Sequence, residues 1–361
     1  MNYNKIDKLK DFEGVDKPTH FTIELRPTTK CNYNCFYCTD LHINENNIVR
    51  LNEDNLVKVI NSIKKYTKKD IHIFVCGGEP TVYPYLTDLL NTCVTSLSDN
   101  DYIEIQSNLG MSYNKLTKFV NRIDCIDKIK ISASYHNTQC KNYPSFIKKC
   151  LYLKNLEMLK MISYGYNSKK SVLKDFKLGL KVIGEKHCEI VPLINASVDQ
   201  DLSKGNQTYK EIDILNEFEQ VKTWKDHSHF FDNQLKYTLK DGEEHTTNRN
   251  EMWKNRSNNF LGTKCSIPKW KIYIDWDGNA YKCFNEQFSP LQPVFNINED
   301  YDFNKYFETL KCMDCCFTTC FFDMEYKKVE QDKPVNEVKI NRFFNTATYK
   351  KLKNEKGKKT L

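Results

Sequence analysis

Three cysteines, Cys31, Cys35 and Cys38, fall within eight residues of the segment "TTKCNYNCFYCTD" (28–40). Four thiolates close a tetrahedral zinc site or saturate a cubane cluster, whereas three leave one metal corner open to a small molecule. The C-x3-C-x2-C gaps let one short loop place its sulfurs on three corners of a [4Fe–4S] cube. Tyr37, beside the last cysteine, would then present an aromatic ring to whatever docks on the fourth iron. The competing reading is a structural zinc knot, for which His42 is the nearby fourth ligand. A second group lies far along the chain: Cys265 and Cys283, then Cys312, Cys315, Cys316 and Cys320 within "CMDCCFTTC". The scattered cysteines, such as Cys93, Cys150 and Cys188, read as small buried hydrophobes.

The chain of 361 residues is 40% hydrophobic and 28% charged, a globular composition with room for one large domain and a smaller one. The polar N-terminus "MNYNKIDKLKDFEG" lacks a secretory signal, and no run of eighteen apolar residues occurs. Both point to a cytoplasmic protein with no membrane partner. Without a signal peptide, fifteen cysteines argue for metal sites over disulfides. The net charge of +7 comes from the last 35 residues, where eleven basic residues face four acidic ones. The rest of the chain is balanced, so the tail reads as a solvated end and nucleic acid is disfavoured as a partner.

These residues need elements to hold them. Short β-rich runs at 20–26, 71–76, 102–107, 128–134, 158–166 and 188–194 alternate with amphipathic stretches at 51–66, 85–96, 113–122, 143–156 and 171–183. In the first stretch Leu56, Val59, Ile60 and Ile63 share one helical face. Six strands alternating with helices predict repeated βα units and a parallel sheet. Ligands in such folds gather at the carboxyl ends of the strands, where the first cysteines and the "GGEP" turn (77–80) both fall. Residues 196–260 read as a polar bridging or substrate-covering segment. In "KIYIDWDGNAYKC" (271–283), two alternating runs flank Asp277-Gly278, a hairpin signal. The expected organisation is therefore 1–195, a barrel-like domain; 196–260, the bridge; 261–325, a small cysteine-rich domain; and 326–361, the basic tail.

Cys31-x3-Cys35-x-aromatic-Cys38 after a first strand resembles the signature of the radical S-adenosylmethionine (SAM) enzymes. The resemblance implies a partial (βα)6 TIM-type barrel whose [4Fe–4S] cluster is chelated at its open iron by SAM. Reductive cleavage of SAM would yield methionine and a 5′-deoxyadenosyl radical that abstracts a substrate hydrogen. It also implies SAM-contacting roles for Gly77, Gly78 and Glu79 of the GGEP turn. Asn108 of "IQSNLG", similar to the family's TNG element, would face the site. Ser132 of "KISASYH" matches a ribose-contacting serine, and Ser134 stands where the family has an aspartate. "IVPLIN" (190–195), with Leu193, would wall the adenine.

Cys265-x12-Gly278-x4-Cys283 resembles the auxiliary-cluster domains called SPASM when full and twitch when halved. The cysteine count favours a twitch-like domain with one auxiliary [4Fe–4S] cluster. Cys265, Cys283, Cys312 and Cys315 are the first choice of ligands, with Cys320 the alternative to one of the last pair. The expected function is radical oxidation or rearrangement of an unidentified organic substrate, of small-molecule, carbohydrate or nucleotide type. Only about thirty residues precede Cys31, short of a winged-helix leader-peptide domain, which sets peptide or protein side-chain modification second. An electron donor such as flavodoxin or ferredoxin is implied, and no catalytic acid or base is assigned. A reading of another class is a non-catalytic zinc protein that binds nucleic acid, with steeply salt-dependent affinity. If the tail is a solvated end, removing 350–361 leaves thermal stability and deoxyadenosine formation unchanged. Loss of activity on that cut would implicate an acidic or nucleic-acid partner.

Overall fold

A computed structural model of the chain describes residues 6–9, 20–35, 38, 48–166, 170–192, 234–239, 244–248, 264–265, 267–283, 293–311, 313–314 and 327–328. Its centre is one nine-stranded sheet. The strands are β1 (His20–Leu25), β2 (Asp70–Val75), β3 (Tyr102–Ser107), β4 (Ile129–Tyr135), β5 (Leu159–Tyr166), β6 (Cys188–Pro192), β7 (Lys271–Ile274), β8 (Asn279–Tyr281) and β9 (Phe295–Asn296). Their spatial order is β9-β8-β7-β1-β2-β3-β4-β5-β6. β1 to β6 are parallel and sequential, an order in which crossovers of one hand place every helix on the same face. The result is a mixed α/β fold with a parallel sheet, consistent with a partial TIM barrel that does not close.

The expected alternation of strands and helices is observed. The helices are α1 (Glu53–Thr67), α2 (Leu86–Val94), α3 (Tyr113–Val120), α4 (Tyr143–Asn155), α5 (Lys170–Ile183) and, later, α6 (Phe303–Glu308). Asn52 caps α1 by accepting from the Asn55 amide at 3.0 Å. Glu53 and Asp54 lie in the first turn and Lys64 and Lys65 in the last, complementing the helix dipole. Leu56, Val59, Ile60 and Ile63 are fully buried, as their spacing predicts. Ser112 and Asn142 cap α3 and α4 in the same way.

The hairpin predicted at Asp277-Gly278 forms, with Gly278 at φ +86° and Tyr273 paired with Tyr281. Its first strand runs parallel to β1, from Lys271 opposite Thr22 to Ile274 opposite Leu25. β7, β8 and β9 thus widen the sheet on the far side of the first strand. Two small sheets stand outside it. One joins Ile6–Leu9, Gln234–Leu239 and Glu244–Asn248; the other joins Met313–Asp314, Lys264–Cys265 and Lys327–Lys328. Among the described residues, no helix is long and apolar enough to cross a membrane.

The α4–α5 side is packed around Tyr164, which is fully buried. Its hydroxyl lies 2.9 Å from that of Tyr143, which in turn donates to the Asp175 carbonyl at 2.5 Å. Gly179 of α5 sits against this pair. A Cβ there would fall 2.0 Å from the Tyr164 hydroxyl, and Tyr135, Tyr143 and Phe176 crowd the ring that would have to move. Ala normally gains about 1 kcal/mol over Gly inside a helix. Here we expect the opposite sign: Gly179→Ala destabilises the protein by about 1–3 kcal/mol through overpacking, measured by urea unfolding.

Candidate active site

The carboxyl end of β1 and the turn after β2 are held together by an extension of their backbone pairing. Cys76 N donates to Leu25 O at 2.9 Å, Gly78 N to Thr28 O at 3.0 Å and Glu79 N to Lys30 O at 2.8 Å. Gly77 takes φ +116°, a conformation that favours glycine, and a Cβ on it would lie 2.7 Å from Thr28 O. On Gly78 a Cβ would lie 2.2 Å from Lys30 O. Both glycines are therefore required by the close approach of the 28–30 segment, which leads directly into Cys31.

Cys31 and Cys38 are partly exposed, Cys35 is buried, and none of the three is in a disulfide. Cys38 N donates to Cys35 O at 3.1 Å. Tyr33 N donates to Cys31 Sγ at 3.4 Å, and Asn108 Nδ2 approaches the same sulfur at 3.8 Å. Asn108 Nδ2 also donates to Asn32 Oδ1 at 2.8 Å. From the loop after β4, Gln139 Nε2 donates to Asn34 O at 3.0 Å, and the Tyr33 ring meets the His136 ring edge-on at 6.1 Å. Burial pulls the His136 pKa down to about 4, so this neighbour is neutral at physiological pH. Three thiols outside any disulfide, on a segment pinned at several points and with N–H groups directed at one sulfur, are a donor set that fits an iron–sulfur cluster. Among the described residues, no three His, Cys, Asp or Glu side chains converge on a single metal ion.

Glu79 is 1% exposed. Its Oε1 accepts from Thr81 N at 3.2 Å, Thr81 Oγ1 at 2.5 Å and Ser107 Oγ at 2.7 Å, and its Oε2 from Asn108 N at 2.7 Å. Burial raises its pKa against these four donors, each of which favours the carboxylate. Glu79 therefore ties the GGEP turn to the end of β3.

Ser132 lies deeper in the sheet and donates to Glu104 Oε1 at 2.6 Å. Ser134 accepts from Gln106 Nε2 at 3.4 Å. Glu104 belongs to a cluster that the sequence reading missed. Its Oε2 is 3.0 Å from His72 Nε2 and 2.5 Å from Lys160 Nζ, and His72 stacks on Tyr102 with centroids 4.5 Å apart. The available signal was alternation: His72, Glu104 and Ser132 occupy every-other positions facing away from the helices. Burial alone would raise the Glu104 pKa, but hydrogen bonds from His72, Lys160 and Ser132 with the Lys160 charge hold it at about 2. Burial lowers the His72 pKa, so the ring is neutral and its Nε2–H donates to Glu104.

Other expected residues are distributed differently. Cys283 is buried just beyond β8. Cys265 lies on a two-residue strand paired with Met313. Tyr37, Leu193, Cys312, Cys315, Cys316 and Cys320 lie outside the described residues.

Residues 25–160, from β1 into β5, match the family model described as Radical SAM superfamily, a stretch that takes in the cysteine loop and the glycine turn. Among solved structures, Streptococcus suis SuiB superposes with a TM-score of 0.50 at 14% identity, covering 81% of this chain and 66% of SuiB. SuiB bound to its precursor peptide SuiA gives 0.51 at 12% identity, covering 80% and 65%. The chain thus spans just under two thirds of SuiB's length, and the likeness is one of fold. The structure of anSMEcpe with bound AdoMet gives 0.47 at 16% identity, covering 80% of this chain and 82% of that one, a score too low to carry an argument. No curated protein matches.

The Glu104 cluster yields a pH prediction. A carboxyl depressed to about 2 in the fold, against about 4.3 unfolded, adds stability that is complete above about pH 4.5 and is lost as pH falls toward 2. Glu104→Gln should cost about 1–3 kcal/mol at pH 7, because Lys160 and His72 lose a charged acceptor. Unfolding followed from pH 7 down to pH 3 should show the two proteins converging on the acid side.

Proposed function

We propose that the chain is a radical SAM enzyme in which Cys31, Cys35 and Cys38 hold a [4Fe–4S] cluster and SAM is the co-substrate. The observation that carries this reading is the seating of the cysteine loop against Gly77–Gly78 at the carboxyl end of the sheet, within the segment matched by the family. When bound, the cluster supplies the electron that cleaves SAM to methionine and a 5′-deoxyadenosyl radical. The chain's own part is positional. The glycine turn sets the height of Cys31, Asn108 and Gln139 fix the loop's orientation, and Glu79 locks the turns after β2 and β3 together. Ser132 and Ser134 are engaged with Glu104 and Gln106 along the strands, so a ribose contact would require them to exchange partners.

The C-terminal cysteines are proposed to hold one auxiliary [4Fe–4S] cluster in a twitch-like arrangement. Cys265, Cys283, Cys312 and Cys315 are the first set, and Cys320 the alternative. Supporting this, Cys265 is paired with Met313, the sequence neighbour of Cys312, and Cys283 follows two residues after the β7–β8 hairpin. The polar face of the sheet, with Glu104, His72 and Lys160, favours a polar substrate of small-molecule, carbohydrate or nucleotide type. The second reading, modification of a peptide, draws on the fold shared with SuiB, whose structure holds a precursor peptide. A flavodoxin or ferredoxin would deliver the electron.

The test is anaerobic reconstitution with iron and sulfide, followed by absorbance, iron content and deoxyadenosine assay. Replacing Cys31, Cys35 and Cys38 together with Ala should abolish deoxyadenosine formation while an iron–sulfur signal from the C-terminal set remains. Iron lost completely from the triple variant would remove the auxiliary cluster. A wild-type protein that takes up zinc but neither cluster nor SAM would sink the whole reading in favour of a structural metal protein.

A further inference from the structure

We infer that Asn108 is a positioning residue for the Cys31 thiolate, and that its carboxamide N–H raises the reduction potential of the cluster that Cys31 would hold. The inference rests on the function proposed above and changes the part given to Asn108, from contacting SAM to tuning the metal's ligand.

The carboxamide is buried and committed on both sides. Its Oδ1 accepts from Gly110 N at 2.7 Å, which fixes which end of the amide is oxygen. Its Nδ2 donates to Asn32 Oδ1 at 2.8 Å and approaches Cys31 Sγ at 3.8 Å. With two hydrogens on Nδ2 and two acceptors in front of it, neither N–H is left for a ligand.

The turn that presents this group is heavily restrained. Glu79 Oε2 holds Asn108 N, and Ser107 Oγ accepts from Leu109 N at 3.0 Å. The buried Lys149 donates to the carbonyls of Leu109 and Met111. Leu109 itself sits at φ +48°, a left-handed conformation costly for a leucine and kept only where neighbours over-determine it. Gly110 leaves no room for a side chain, since a Cβ would lie 2.2 Å from Asn32 Nδ2. Three elements thus hold one amide against one sulfur.

A hydrogen bond to a ligating thiolate draws electron density from the sulfur and favours the reduced, more negative cluster. Tyr33 N supplies one such donor from the loop itself, and Asn108 supplies a second from a different strand.

The two roles for Asn108 predict different measurements on Asn108→Ala and Asn108→Asp, reconstituted anaerobically. As a positioning residue, both substitutions lower the midpoint potential read by EPR-monitored titration, Asp more than Ala, because its carboxylate sets a negative acceptor beside the sulfur. SAM affinity by calorimetry then changes less than threefold. Asn108→Ala adds no buried charge, so it remains informative if the aspartate variant fails to fold. An unchanged potential in cluster-loaded Asn108→Ala would overturn the inference, as would a tenfold loss of SAM affinity at constant potential. A wild-type chain that loads no cluster would instead end the reading on which it rests.

Discussion

The contact on which the site depends is between two stretches of backbone, Gly77–Gly78 and Thr28–Lys30. Parallel strands normally part at their carboxyl ends, because the chain must leave for the crossover helix. Here the hydrogen bonding continues past both strands, through Gly78 N to Thr28 O and Glu79 N to Lys30 O. The approach is too close for a Cβ on either glycine. It fixes where Cys31 begins, and every later restraint on the loop, from Asn108, His136 and Gln139, acts on a segment whose origin is already set. Glu79 follows immediately and carries the same restraint across to β3.

The sheet has two chemically different faces. Ile23, Ile73, Ile103, Ile105 and Ile131 pack under the helices and are essentially inaccessible to solvent. The alternate positions carry His72, Ser132 and Lys160, all bonded to Glu104, and Glu24, which pairs with Lys271. A closed eight-stranded barrel fills its interior with apolar layers. This open sheet instead carries a polar layer on the face turned away from the helices.

Much of this was legible in the residues. The β-rich runs "IHIFVC" and "YIEIQS" marked the strands, and the apolar spacing of Leu56, Val59, Ile60 and Ile63 gave the first helix. The cysteine spacing and the adjacent glycines marked the functional end of the sheet. Partner choice was not legible. Which acceptor Ser132 takes depends on Glu104, 28 residues away on the next strand, and which sulfur Asn108 faces depends on a cysteine 77 residues earlier. Local pattern fixes the face on which a side chain stands, whereas the atom it meets is set by register between strands. The addition of β7 beside β1 was hidden for the same reason. Its hairpin signal was local, but the edge it would join was not.

That late strand has a consequence for how the molecule is assembled. β7 pairs with β1 from about 250 residues further along the chain, and Lys271 reaches Glu24 at 2.8 Å while Arg26 lies 3.9 Å from Asp275. On a ribosome, the first strand emerges long before the segment that will cover its outer side. Until then its unpaired amides and carbonyls form an open template for any passing strand. Pairings closed over so long a loop form slowly. The nascent protein therefore passes through a stage in which five βα units are complete and the edge beside the cysteine loop is bare. In that interval the outer side of β1 is open to pairing with a strand of another chain.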